Sequence, residues 1–332
     1  MPAPAGTFQT FQAVGNREDL EDMIWDISPT EVPFSTRVAK IKATAINHEW
    51  QIDNLDAAAA NAQIEGDDAV VNTAVPTVRA GNRTQILSKT VIVSGTQDSV
   101  TKAGRETELA YQVMKRAKEL KRDLEFTLVG NQASTAGAAG AARRMAGVET
   151  WLNTNRTSVG TGTAQTTFGL TSGQAATAPI DSSVLGTFTE SSLRHVIQSA
   201  YLNGGDPTVV MVGPGVKSKM SSTFTGIATR FRDVPSGSQA QIISGADVYV
   251  SDFGKHTIIP NRFMRNAATP TSANTALVLD MDYWALATLR PLRQTPLGKT
   301  GDNEKRQLVM EATLVSRNQA ASGKITDINP SL

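Results

Sequence analysis

From residue 46 to 53 the sequence alternates without a break, with Ile46, His48, Trp50 and Ile52 on one side and Asn47, Glu49, Gln51 and Asp53 on the other. A period of two sends those sets to opposite faces of a strand, one mainly apolar and one polar. A second β-rich stretch, 83–94, ends in the apolar triplet Val91, Ile92 and Val93. Between the two lies an Ala-rich loop holding Asp53, Asp56, Glu65, Asp67 and Asp68, then Val70, Val71, Val75 and Val78 around Pro76. The whole predicts a long β-arm with an acidic tip. A two-stranded arm with one apolar face is marginal in water, so it must lie on something. Whether that surface belongs to the same chain or to a neighbour decides what the chain can do.

The rest of the chain can supply such a surface. At about 150 residues per domain, 332 residues make roughly two domains or one elaborated one. Hydrophobic residues at 40% plus 26 glycines fall in the globular range and exclude a wholly disordered or collagen-like chain. Residues 1–35 read as an arm: Asn16 caps a short helix at 17–25, and Phe8, Phe11, Trp25 and Phe34 need another surface to cover them. The clearest element is a helix over 104–132, about 43 Å long at 1.5 Å per residue. Leu109, Val113, Ala117, Leu120, Leu124 and Leu128 recur at three and four to form its inner stripe. Lys115, Lys118, Glu119, Arg122 and Glu125 are expected on the opposite face, with Glu119 and Arg122 paired. After a loop-like Thr/Gly/Ser-rich stretch to about 183, Thr189 caps a helix whose face is Leu193, Val196, Ile197, Ala200 and Tyr201. Strands are expected at 208–212, 246–250, 256–259, 276–279 and 307–315. The last is apolar on both faces and so belongs inside a sheet. The fold class is α+β.

Chemistry is mostly missing. The formal net charge is +1, so no global field recruits nucleic acid, and any contact with a polyanion must be local. With no cysteine there is no disulfide, thiolate metal site or cysteine nucleophile. The first fifteen residues lack a secretory n-region and h-region, and no run of 18 apolar residues offers a membrane span. Gly298, Lys299 and Thr300 imitate the end of a phosphate loop, but Arg293 stands where its first glycine belongs and Pro296 interrupts. A turn between strands is the better reading. His48, His195 and His256 fall in different elements and read as packing or surface residues. The tripeptides beginning at Asn82 and Asn155 match the glycosylation sequon by chance. No nucleophile, metal set or cofactor site is nominated. The basic group Lys115, Arg116, Lys118, Lys121 and Arg122 is a solvated helix face or a weak, sequence-independent contact with phosphates.

The runs KAGRETELAYQ (102–112), KELKRDLE (118–125), Asn131 with Gln132, RRMAGVETWL (143–152), HTIIPNRFM (256–264) and GDNEKRQLVMEATLVSRNQAASGKI (301–325) resemble, as an ordered set over nearly the whole chain, the major capsid proteins of tailed bacteriophages, specifically the SU-ten-like group. The resemblance implies the Hong Kong 97-type capsid fold. It divides the chain into an N-terminal arm (1–35), an extended E-loop with flanking strands (36–99), a P-domain with a spine helix (100–152), a mainly A-domain part (153–275) and a return to P-domain strands (276–332).

In such shells the E-loop lies across the adjacent subunit, which implies inter-subunit contacts for Trp50, Ile52, Asp56, Glu65, Asp67 and Asp68. Hexamers and pentamers of the chain would tile an icosahedral head around double-stranded DNA. The inner face of the spine helix would set Lys115, Arg116, Lys118, Lys121 and Arg122 against that DNA. Because the N-terminal arm is only about 35 residues long, a separate scaffolding protein is expected. A portal protein and room for a decoration protein complete the implied partners, and no membrane is among them. No residue matches a covalent Lys–Asn cross-link motif. The alternative is an encapsulin-like nanocompartment shell of the same fold around a protein cargo. Neither reading involves catalysis or a cofactor.

Overall fold

A computed structural model describes residues 31–53, 55–66, 68, 74–102, 104–161, 170–171, 173–175, 177–178, 184–227, 247–264 and 274–329. The helix expected at 17–25, with Phe8, Phe11 and Trp25, lies outside them. The described chain begins with α1 (Pro33–Arg37), β1 (Ala39–Lys42), β2 (Asn47–Ile52), β3 (Val78–Arg83), β4 (Gln85–Ser94), α2 (Gly95–Ser99) and α3 (Glu108–Val129). Next come α4 (Val148–Trp151), β5 (Asn155–Ser158), and the two-residue strands β6 (Leu170–Thr171) and β7 (Gln174–Ala175). The remainder is α5 (Glu190–Leu202), β8 (Val209–Val212), α6 (Pro214–Ile227), β9 (Val248–Ser251), β10 (Gly254–Pro260), β11 (Ala276–Leu279), β12 (Trp284–Pro296), β13 (Asn303–Ser316) and β14 (Gly323–Thr326).

Among the described residues the strands form three sheets, ordered β1-β12-β13-β4, β5-β14-β11-β8-β10-β9 and β2-β3-β7-β6. The expected inner strand is confirmed, since β13 lies between β12 and β4. The boundary expected at 276 cuts across the sheets. β11 and β14 belong to the six-stranded sheet, while β12 and β13 form the long hairpin of the four-stranded one, with 297–302 as its turn. One core gathers Leu124, Leu128, Trp151, Trp284, Leu286 and Leu314 between α3 and the four-stranded sheet. A second packs α5 and α6, through Leu193, Val196, Ile197, Val216 and Met220, on the six-stranded sheet. Thr189 caps α5 as expected, accepting the Ser192 N–H at 3.4 Å. Tyr201, expected on the inner face of α5, is exposed and packs its ring on Phe253, 4.9 Å between centroids.

Helix α3 has 22 residues, about 33 Å, so it is shorter than the helix expected over 104–132. It starts after Thr107, whose extended backbone provides no side-chain cap, and stops at the extended Gly130. Its stripe is graded. Leu120, Leu124 and Leu128 are fully buried, each worth about 2 kcal/mol, whereas Leu109, Val113 and Ala117 are half-buried.

Glu125 corrects the expected solvent face, because it is wholly buried. Its carboxylate accepts the N–H groups of Phe34 at 2.7 Å and Ser35 at 2.8 Å, and the Asn261 side-chain amide at 2.8 Å. Helix starts leave such N–H groups without partners, so Glu125 caps α1 from another element. Phe34 is therefore covered by its own chain, edge-on to Trp284 at 6.3 Å, rather than by a foreign surface.

Candidate functional site

The arm begins where Ile46 accepts the N–H of Thr84 at 2.8 Å. The strand paired with 46–53 is not 83–94 but β3, in register from Asn47↔Arg83 to Ile52↔Val78. Thr84 is the point of divergence. Its hydroxyl donates to Glu311 Oε1 at 2.7 Å, and from Gln85 onward the chain pairs with β13 instead. Arg143 and Arg290 close on the same carboxylate, at 2.5 and 2.7 Å. Burial pushes the Glu311 carboxyl up, but the Thr84 and Arg290 hydrogen bonds and the two guanidinium charges outweigh it and hold the group below the usual carboxylate range. Strand periodicity alone does not reveal this anchor. Its one signal is a carboxylate in the middle of the mainly apolar run 308–315.

Close backbone packing also fixes the root. Gly81 N–H donates to Gly173 O at 2.8 Å, and Gly173 has φ +76° with room for no Cβ, which would meet Arg79 O at 2.0 Å. Asn82 is buried and donates to the carbonyls of Ala146 and Leu314; Asn155 is likewise buried, so both sequon asparagines serve as structural amides. His48 is half-buried beside Trp50, and desolvation lowers its pKa. His256, also buried, donates Nδ1–H to Pro207 O and accepts from the Ser251 hydroxyl.

The structure separates the six expected contact residues into two groups. Trp50 and Ile52 pack against the chain's own core, Trp50 with its ring 5.4 Å from that of Trp151. They hold the root of the arm down. Asp56, Glu65 and Asp68 are exposed further out, and Asp67 lies outside the described residues. Around them Leu55 is 99% exposed, Ile64 77% and Val75 73%. From 53 to 78 the chain has five acidic residues and no Lys or Arg. The arm thus has an anchored root and a bare tip, both apolar and acidic.

The basic group on α3 also divides. Lys115, Lys118 and Lys121 are exposed. Arg116 pairs with Glu119 at 2.6 Å, replacing the expected Glu119–Arg122 pair, and Arg122 lies over the Phe263 ring at 5.8 Å. Lys89 pairs with Asp123 at 2.8 Å, so both acids of this face are neutralised and its field is carried by the lysines. No helix among the described residues is long and apolar enough to cross a membrane.

A sequence profile described as SU10 major capsid protein matches residues 3–329. The chain is 27% identical to the major capsid protein of Escherichia phage Phieco32, with 95% of each chain covered. Its fold superposes on the cyanophage A-1(L) capsid asymmetric unit with a TM-score of 0.69 at 12% identity, covering 96% of this chain and 98% of that one. The SrpI encapsulin of Synechococcus elongatus PCC 7942 superposes with a TM-score of 0.55 at 9% identity, over 96% and 94% of the chains.

Proposed function

From the premise that the chain belongs to the SU10 major capsid protein family and has the Hong Kong 97-type fold, we propose that its tip-bare arm is the element that joins subunits into a closed head. The chain is the major capsid protein of a tailed phage and a structural component of the virion. Its copies associate into a capsid lattice. In the proposed arrangement hexamers and pentamers tile an icosahedral shell, and the subunit performs no catalysis.

The observation that carries this reading is the contrast between Trp50, packed on its own core, and Leu55, fully exposed only five residues later. Apolar side chains bare in the subunit are what obligate interfaces bury. We assign the arm as the E-loop, the α3 and four-stranded layer as the P-domain, the six-stranded sheet with α5 and α6 as the A-domain, and the segment ahead of α1 as the N-terminal arm. The separation into sheets supports the first three names. Lys115, Lys118 and Lys121 form the DNA-facing charge of α3, with Arg116 and Arg122 held back by Glu119 and Phe263. A separate scaffolding protein, a portal protein, a decoration protein and packaged double-stranded DNA are proposed on the family likeness, as is assembly in the host cytoplasm.

The test is assembly with and without the tip. Purified subunits should form capsomers or shells by light scattering and electron microscopy, and replacing 55–75 with a short Gly-Ser turn should leave folded, unassembled subunits. Shells of normal yield from the shortened chain would contradict the proposal. A nanocompartment around protein cargo is the second reading, favoured only by the lower-scoring encapsulin superposition. Copurified DNA rather than protein inside the shells decides against it.

A further inference from the structure

At the root of the arm, between the ends of β2 to β4 and the loop 136–142, lies a groove of about 510 Å³. Ile46 and Ile86 floor it while remaining 54% and 51% exposed, and the loop adds the exposed Ala138 and Ala142. Two guanidiniums, Arg83 and Arg143, face it, and no acidic residue lines it. Arg143 is held by Glu311. Arg83 donates to Ser134 Oγ at 3.4 Å and pairs with no carboxylate among the described residues. A site with an apolar floor and a guanidinium rim selects an apolar side chain that carries a carboxylate next to it.

The tip offers that combination twice, as Leu55 beside Asp56 and as Ile64 beside Glu65, all four exposed. We infer that the tip of one arm seats in the groove at the root of the next copy's arm. The inference rests on the reading that the arm engages a neighbouring subunit, and it adds the landing site. Reach permits it. Six paired residues span about 20 Å and each limb of the 53–77 connection up to about 40 Å, against about 50 Å across a compact chain of this length. Every copy gives a tip and presents a root, so the contact is heterologous and repeats around a closed ring.

Because the chain contains no cysteine, the contact can be trapped directly. Leu55→Cys with Ala138→Cys, oxidised in assembled shells, should give a reductant-sensitive ladder of covalent oligomers. Leu55→Cys alone, or the pair in dilute disassembled subunits, should stay monomeric. Ile64→Cys with Ala142→Cys is the second pair if the first fails to assemble. A control pair, Leu55→Cys with Lys118→Cys, places the partner thiol on α3. A ladder from the control but from neither groove pair overturns the landing site and leaves the arm exchange standing. Shells that yield only monomers, or a cyclised monomer of altered mobility, from all three pairs overturn both.

Discussion

The buried carboxylate of Glu125, near the C-terminal end of the longest helix among the described residues, accepts the backbone N–H of Phe34 at 2.7 Å and so ties α1 to α3. The Ser35 N–H and the Asn261 side-chain amide donate to the same group. Glu125→Ala leaves two N–H groups and an amide without their acceptor, and should lower the subunit's unfolding free energy by about 3 kcal/mol. Glu125→Gln keeps one acceptor oxygen and should lose less. Urea midpoints of the unassembled variants check the order; equal midpoints for the alanine variant and the parent would show that the cap adds no stability.

Glu311 joins the root of the arm to Arg143 and Arg290, and its carboxyl is held below the usual range despite burial. A carboxylate depressed by folding contributes stability that is present above its unfolded value of 4.5 and lost as pH falls through the folded value. Glu311→Gln should remove that acid-side loss and cost about 3 kcal/mol at neutral pH, because two guanidiniums lose their counter-ion. Partial exposure of Arg290 keeps the cost at the low end. Unfolding free energies measured from about pH 3 to 7 test both parts.

Glu149 shows the opposite sign. It is buried, and desolvation raises its pKa despite the positive charge of Lys324 and a hydrogen bond from Thr275, with Asp327 adding to the rise. Stability from this group is whole below 4.5 and declines as pH rises through the folded value. Glu149→Gln should therefore gain on the parent as pH increases from about 5 to 8. A constant difference between the two proteins across that range would show that Glu149 does not titrate differently in the fold.

Charge at the tip is expected to matter for assembly and not for folding. Asp56→Lys with Glu65→Lys should abolish or strongly delay shell formation, while the thermal midpoint of the isolated subunit stays where it was, since neither residue touches the core. Normal assembly of this variant would make the acidic tip merely solvated.

The alternation at 46–53 was legible because one strand face packs on a core, and β8 and β11 emerged close to their expected bounds because they are short and fully buried. β12 was not legible. Pro291 and the register shifts between Thr288, Arg290 and Arg293 break its period of two. The pairing of β3 was hidden because Val78–Arg83 contains glycine and polar residues that pack through backbone approach and the buried Asn82 amide, a pattern with no apolar signature. Glu125 was misplaced for a related reason. A charged residue beside the inner stripe reads as solvent-facing until the N–H groups it accepts are brought in from Phe34 and Ser35, 91 and 90 residues away. The strand pattern does not divide the arm: Trp50 and Ile52 pack on the subunit's own core, whereas Leu55 and Ile64 stay exposed.

The most direct measurement is an electron cryomicroscopy map of the assembled particle, traced continuously from Trp50 through 53–77 to Arg79. The account predicts that Leu55 and Ile64 lose their exposure against an adjacent subunit while Trp50 stays on Trp151 of its own chain. A trace in which 53–77 turns back and packs on the body that bears it would contradict the account.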